Sequence, residues 1–111
     1  MANTFKNATA TVTASPAVVY TAPNTAGTDV AIVLQLQAAN VGSGTHPITA
    51  TLTRVSGTPT TTHLAKNVSV PLNAAIGLIA GKLVLEAGDS VSVNSDAVSQ
   101  IEINLSALEI T

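Results

Sequence analysis

Ile101-Glu102-Ile103-Asn104-Leu105-Ser106-Ala107 alternates apolar and polar residues without a break. A period of two places Ile101, Ile103, Leu105 and Ala107 on one face of a strand and Glu102, Asn104 and Ser106 on the other. Such a strand is half buried, as strands are in antiparallel sheets with one face towards a core and one towards water. Working back from this run, the same period recurs along the chain. Ser90, Ser92 and Asn94 alternate with Val91 and Val93, and Ala87-Gly88-Asp89 before them reads as a tight turn. Leu83-Val84-Leu85 is a short buried-looking strand, with Gly81 ahead of it.

Nearer the N-terminus, Ile48, Ala50 and Leu52 alternate with Thr49, Thr51 and Thr53 in residues 46–54. Ser56-Gly57-Thr58-Pro59 then gives a turn and residues 61–70 the returning arm of a hairpin, with Leu64, Val68 and Val70 as core contributors. Residues 29–39 form the longest strand, expected to direct Val30, Ile32, Leu34 and Leu36 inwards and Gln35 and Gln37 outwards. Residues 40–46 are a Gly/Ser loop, and residues 22–27 a loop by their Pro, Asn and Gly content. Residues 17–21 make a short strand after the Ser15-Pro16 break, and residues 7–13 set Ala8, Ala10 and Val12 against Thr9, Thr11 and Thr13. Residues 74–80 read equally as turn, helical turn or strand. No segment combines helical period, caps and length. The pattern predicts an all-β fold: a single-domain antiparallel β-sandwich or jelly-roll-like barrel of about seven to eight strands. It spans residues 1–111, with residues 1–6 as a flexible N-terminal arm.

Composition bears on function. Hydrophobic residues make up 46% of the 111, but charged residues only 9% and aromatics 2%, against about 25% charged in an ordinary globular domain. With a formal charge of −2, the chain has little electrostatic protection against self-association, and its poverty in Lys, Glu and Asp matches the cores of interfaces. The reading is of a subunit within a larger assembly. An exposed edge at the N-terminal run or the C-terminal strand offers a place for a neighbour's sheet to pair. Four scattered basic residues make no patch for nucleic acid. Residues 30–39 are too short and too polar for the roughly 20 residues of a membrane span, and residues 1–6 lack the layout of a signal peptide.

Candidate chemistry is sparse. His46 and His63 flank the hairpin turn and fall on neighbouring strands, but a metal site needs three or four converging ligands and no acid is close to either in sequence. Asp29, Glu86 and Asp89 sit at turns, where an acid bonds local backbone N–H groups. Glu102 and Glu109 have odd separation and need not share a face, so no carboxylate pair follows. There is no cysteine, no Gly-x-Ser-x-Gly elbow and no phosphate loop with a lysine. The expectation is a protein that is not an enzyme, with no catalytic, cofactor-binding or metal-binding residues and no cofactor. Contact residues are not marked by any motif. Tyr20 and the loop at residues 40–46 are the candidate platform for a sugar, should the chain be a carbohydrate-binding or adhesive module.

Several phrases, taken in order, resemble small virion structural proteins of tailed bacteriophages. They are the opening Met1-Ala2-Asn3-Thr4-Phe5-Lys6-Asn7-Ala8, then Val19-Tyr20-Thr21-Ala22-Pro23, Lys66-Asn67-Val68-Ser69-Val70-Pro71, Gly81-Lys82-Leu83-Val84-Leu85-Glu86-Ala87-Gly88-Asp89 and the terminal Leu105-Ser106-Ala107-Leu108-Glu109-Ile110-Thr111. The resemblance implies a small β-sandwich in the particle as a capsid decoration (cement) protein, assembled in the host cytoplasm. It implies a homotrimer clamping the major capsid protein of a preassembled shell. A place in the collar, tail or fibre is the alternative within the virion. No nucleic acid or membrane partner is implied.

Overall fold

A computed structural model describes residues 2–25, 27–55 and 58–111, and among these the chain forms nine strands in two antiparallel sheets and no helix. In sheet one, β1 (Asn3–Thr11) pairs with β9 (Ile101–Ile110), and β9 with β3 (Val30–Asn40). Two short strands share the far side of β3: β6 (Ala75–Gly77) lies along residues 37–39 and β7 (Leu83–Glu86) along residues 30–33. Sheet two runs β2 (Ala17–Thr21), β8 (Ser90–Ser95), β4 (His46–Arg54), β5 (Thr60–Val70). The all-β sandwich expected from the alternation is the observed fold. The undecided segment at residues 74–80 supplies β6, which brings the strands among the described residues to nine.

The core lies between the sheets. Ile101, Ile103, Leu105 and Ala107 of β9 face Ile48 and Ala50 of β4 and Val91 and Val93 of β8, and all are buried. Leu36, Leu85, Val12 and Val70 complete it. Each such Leu, Ile or Val contributes roughly 1.5–3 kcal/mol by leaving water. The layer is built from aliphatic side chains, and Tyr20 is the one aromatic ring in it.

Of the four residues of β3 expected to face inwards, one is buried. Leu36 is buried, but Val30, Ile32 and Leu34 are only half-buried, and Ala31 and Val33 are the residues at 0% exposure. The cause is a bulge. Val33 pairs with Ala107 and Gln35 with Ser106, so Leu34 is an extra residue and the inward parity changes from odd to even across it. In β5, Val70 is buried and Leu64 half-buried, but Val68 is exposed. Val68 shares the register of Val70 and pairs with the buried Ile48, so it keeps the inward parity and is exposed by its place on an edge strand. The two register shifts of β5 come between it and His63.

Residues 1–6, expected as an arm, are largely strand. Asn3–Lys6 belong to β1 and pair with residues 107–110 of β9, beyond which Ala2 and Thr111 exchange both backbone bonds at 2.7 and 2.9 Å. The side chains of residues 3–7 are nonetheless exposed on both faces, so the ladder is what holds this half of β1. The turn expected at Ser56-Gly57-Thr58-Pro59 and the loop at residues 22–27 fall partly outside the described residues, as does Met1 of the arm.

Turns follow local chemistry. Asp89 is buried, and its carboxylate accepts the N–H of Glu86 at 3.1 Å and of Val55 at 3.0 Å. Gly88 beside it has φ +83, and a Cβ there would meet Val55 at 2.9 Å, so only glycine fits this turn. Asn40 staples the next loop: its amide donates to Gly44 O at 2.6 Å and Val70 O at 2.8 Å and accepts from Gly42 N–H at 3.0 Å.

Candidate assembly surfaces

Each sheet presents one face to solvent, and the two faces differ chemically. On sheet two the outward rows are Thr21, Ser90, Thr53 and Thr61, then Val18, Ser92, Thr51 and His63. Alternation with the inward Ile48, Ala50, Val91 and Val93 puts these hydroxyls outside. The result is a face of small polar side chains, with His63 exposed at its margin.

The outward face of sheet one is divided along its length. One half is polar. Asn7 donates to Asn104 Oδ1 at 2.7 Å and Leu105 O at 3.0 Å, and Gln35 donates to Asn104 O at 3.2 Å and Ser106 Oγ at 3.3 Å. Next to this ladder, Thr9, Thr11, Gln37, Ala39, Glu102 and Asn104 line a shallow depression of about 470 Å³. The other half is apolar. The register places Phe5 beside Leu108, Leu108 beside Ile32, and Ile32 beside Val84, with Ile110 and Val30 in the next row. Phe5 is 74% exposed and Val84 58%. This row crosses four strands, where apolar neighbours on a sheet normally face a core.

The sequence pattern did not isolate that row. Part of its signal was present: Leu108 and Ile110 continue the outward parity of Glu102, Asn104 and Ser106, so the outer face turns apolar after Ser106. The part contributed by Val30 and Ile32 was hidden by the bulge at Leu34.

The titratable candidates are dispersed. His46 and His63 are on neighbouring strands, but His46 pairs with Val70 and His63 with Thr51, about 17 Å apart along the sheet at roughly 3.4 Å per residue. His46 Nδ1 instead lies 2.8 Å from Asp96 Oδ1, and that hydrogen bond holds the Asp96 carboxyl below its ordinary range. Arg54 pairs with Glu86 at 2.5 Å, both exposed. Asp29 is buried and accepts the Thr25 N–H at 2.7 Å. Among the described residues no three His, Asp or Glu side chains converge in a way that could hold a metal ion. Glu102 points outwards and Glu109 inwards, where it accepts the Tyr20 hydroxyl at 2.6 Å. Tyr20 is only 9% exposed, so it offers no ring face to a sugar.

No protein-family model matches the chain, and no curated protein matches it. Solved structures do. A chain in the structure of Bacillus endospore appendages, a family of disulfide-linked pili, superposes with a TM-score of 0.58 at 18% identity, over 99% of this chain and 87% of that one. A chain in the acidic stable capsid of Helicobacter pylori bacteriophage KHP30 gives 0.55 at 10% identity, over 100% and 89%. A chain of infectious bursal disease virus, Gx strain, gives 0.58 at 12% identity, but this chain spans only 30% of its length. The likeness is one of fold: a β-sandwich of a kind found in virion and pilus structures.

Proposed function

We propose that the chain is a structural protein of a phage virion, a capsid decoration protein that binds the outer shell as an oligomer and stabilises it, and that it catalyses no reaction. The observation that supports this most is the fold match to a phage capsid chain along nearly the whole of both chains. The ordered phrases that resemble small phage virion proteins support it independently. The surface agrees in kind. With 9% charged residues and an outer face of small hydroxyls on one side and aliphatics on the other, contacts would rest on shape and apolar burial, at about 25 cal/mol per Å² before association costs. Several copies joined together would gain avidity without strong single contacts. The resemblance implies three copies and the major capsid protein as partner.

The test is to add the purified protein to shells that lack it and to image them by cryo-electron microscopy. Density on the outer shell, with shells that survive higher temperature, is the expected result. Density only at the neck, tail or fibre would replace the decoration reading with a collar or tail role. A glycan array with strong hits and shells that take up nothing would favour an adhesive module.

A further inference from the structure

The apolar row on sheet one ends at an edge strand, and the edge itself is in order for pairing. β1 matches β9 residue for residue from Asn3 to Thr11 with no register shift. Ala2 and Thr111 exchange both backbone bonds, and Val12 N–H donates to Ile101 O at 2.8 Å. Even-numbered residues therefore bond to β9, and the N–H and C=O of Asn3, Phe5, Asn7, Thr9 and Thr11 are directed away from it. The other sheet ends differ. β2 has five residues and a shift at Val18/Tyr20, β6 and β7 have three and four, and β5 carries two shifts and Asn67 at φ 50. Among the described residues β1 is the long regular edge, the geometry that accepts another strand.

We infer that two copies of this chain join through their β1 edges, antiparallel and centred on Phe5, to make one continuous sheet across a two-fold axis. Three features of the strand select a second copy in this register. Pairing Phe5 with its symmetry mate sets odd residues against odd, so the outward groups of Asn3, Phe5 and Asn7 meet their complements. It also joins the two apolar rows into one, running Val84, Ile32, Leu108, Phe5 and back through the partner in reverse, which covers the most exposed large hydrophobic side chain among the described residues. Lastly, Lys6, the one charge in β1, falls opposite the second copy's Thr4, whose neighbour on the same face is Glu109. The span is two strand spacings, about 10 Å between backbones, which an extended lysine side chain can bridge. Centring on Asn7 instead would set Lys6 opposite Ala8 and Leu105 and leave the rows apart. The contact is isologous, as closed dimers require.

This inference rests on the reading of the chain as a self-associating subunit, and it puts a two-fold pair where the resemblance implies a trimer. Sedimentation should give a two-chain mass at low micromolar concentration. Phe5→Asp should weaken association at least tenfold with an unchanged circular dichroism spectrum, lowering the melting temperature only as far as the lost dimer does, and Val98→Asp, at another exposed site, should leave the mass alone. The chain has no cysteine, so single variants report register: Phe5→Cys should cross-link on oxidation and Asn7→Cys should not. A wild-type monomer, a three-chain mass, a dimer indifferent to Phe5→Asp, or cross-linking at Asn7→Cys alone would each overturn the pairing. A trimer that still coats shells would overturn the pairing and leave the decoration reading standing. A Phe5-dependent dimer that never binds shells would do the reverse.

Discussion

β1 and β5 end the two sheets with strands of nine and eleven residues, yet they are built in opposite ways. β5 is irregular: its pairing with β4 slips between Ile48 and Ala50 and again between Ala50 and Thr51, Asn67 is left-handed at φ 50, and Lys66 stands exposed beside it. Bulges and an edge lysine are the ordinary means of stopping a sheet from growing. β1 has only Lys6, and its ladder is unbroken. Both edges carry a lysine, and the bulges that close one are absent from the other. Edge protection in this fold depends on where extra residues are inserted, and an extra residue also decides which side chains of a strand are buried.

An inserted residue has its largest effect in β3, where one bulge governs the burial of the whole strand. Leu36→Asp places a charge in the core with no partner and is expected to abolish cooperative folding, seen as a lost near-native melting transition. Leu34→Asp, at the half-buried extra residue, should fold with a lowered melting temperature. If Leu34→Asp is the variant that fails and Leu36→Asp folds, Leu34 and not Leu36 faces the core.

The regular ladder of β1 makes a prediction residue by residue. Ala8 N–H lies on the β9 side and Thr9 N–H on the open side. Ala8→Pro removes the backbone bond to Leu105 O, which keeps the Asn7 amide as its donor at 3.0 Å, and should cost about 1–2 kcal/mol. Thr9→Pro removes no bond within the chain and should cost under about 1 kcal/mol. Urea titration of both variants measures the difference, and equal losses would show that β1 does not alternate as described. In β5 the corresponding lever is Asn67, whose N–H donates to Thr49 Oγ1 at 3.0 Å. Asn67→Val forces a β-branched residue into the left-handed region at about 1–2 kcal/mol, and Asn67→Gly should be close to neutral. A harmless valine would mean that β5 straightens easily and that its edge is less blunted than it looks.

How much of this was legible beforehand follows the same division. Where strands are regular, period two was enough: the inward set of β9, Val91 and Val93 of β8, and Ile48 and Ala50 of β4 are buried as their alternation demands. Where a bulge intervenes, alternation misleads, because "IVLQL" in β3 carries apolar residues of both parities and nothing local marks Leu34 as the extra one. Which edge is open was undecidable between the two ends of the chain. The C-terminal strand has the stronger hydrophobic alternation and lies between β1 and β3, whereas the Thr- and Asn-rich N-terminal run is left outside. Phe5 stands between Thr4 and Lys6 with no apolar residue two positions away on either side; its place in an apolar row depends on pairing with Leu108 across the length of the chain.

The exposed half of β1 is steadied from the neighbouring strand. Residues 3–7 have no second sheet covering them, and they hang on the end of β9. That end is tied to β2 by the Tyr20 hydroxyl, which donates to Glu109 Oε2 at 2.6 Å, and Glu109 is the ladder partner of Thr4. Tyr20→Phe should cost about 1 kcal/mol of global stability and speed amide exchange at Thr4 and Lys6 more than at Ala8 and Ala10. Burial first, then the hydrogen bond and charge of Glu109, push the Tyr20 phenol far above its ordinary value. A folded-state value raised above the unfolded one gives stability that is fully present below the unfolded phenol's pKa of about 10 and is lost as pH rises through the folded value. The chain has a single tyrosine and no tryptophan, so ultraviolet titration reads this group alone. Ionisation should be delayed past pH 10 and coincide with alkaline unfolding, and a phenol titrating normally in the folded protein would remove the tie between β2 and β9, leaving the outer half of β1 held by its ladder only.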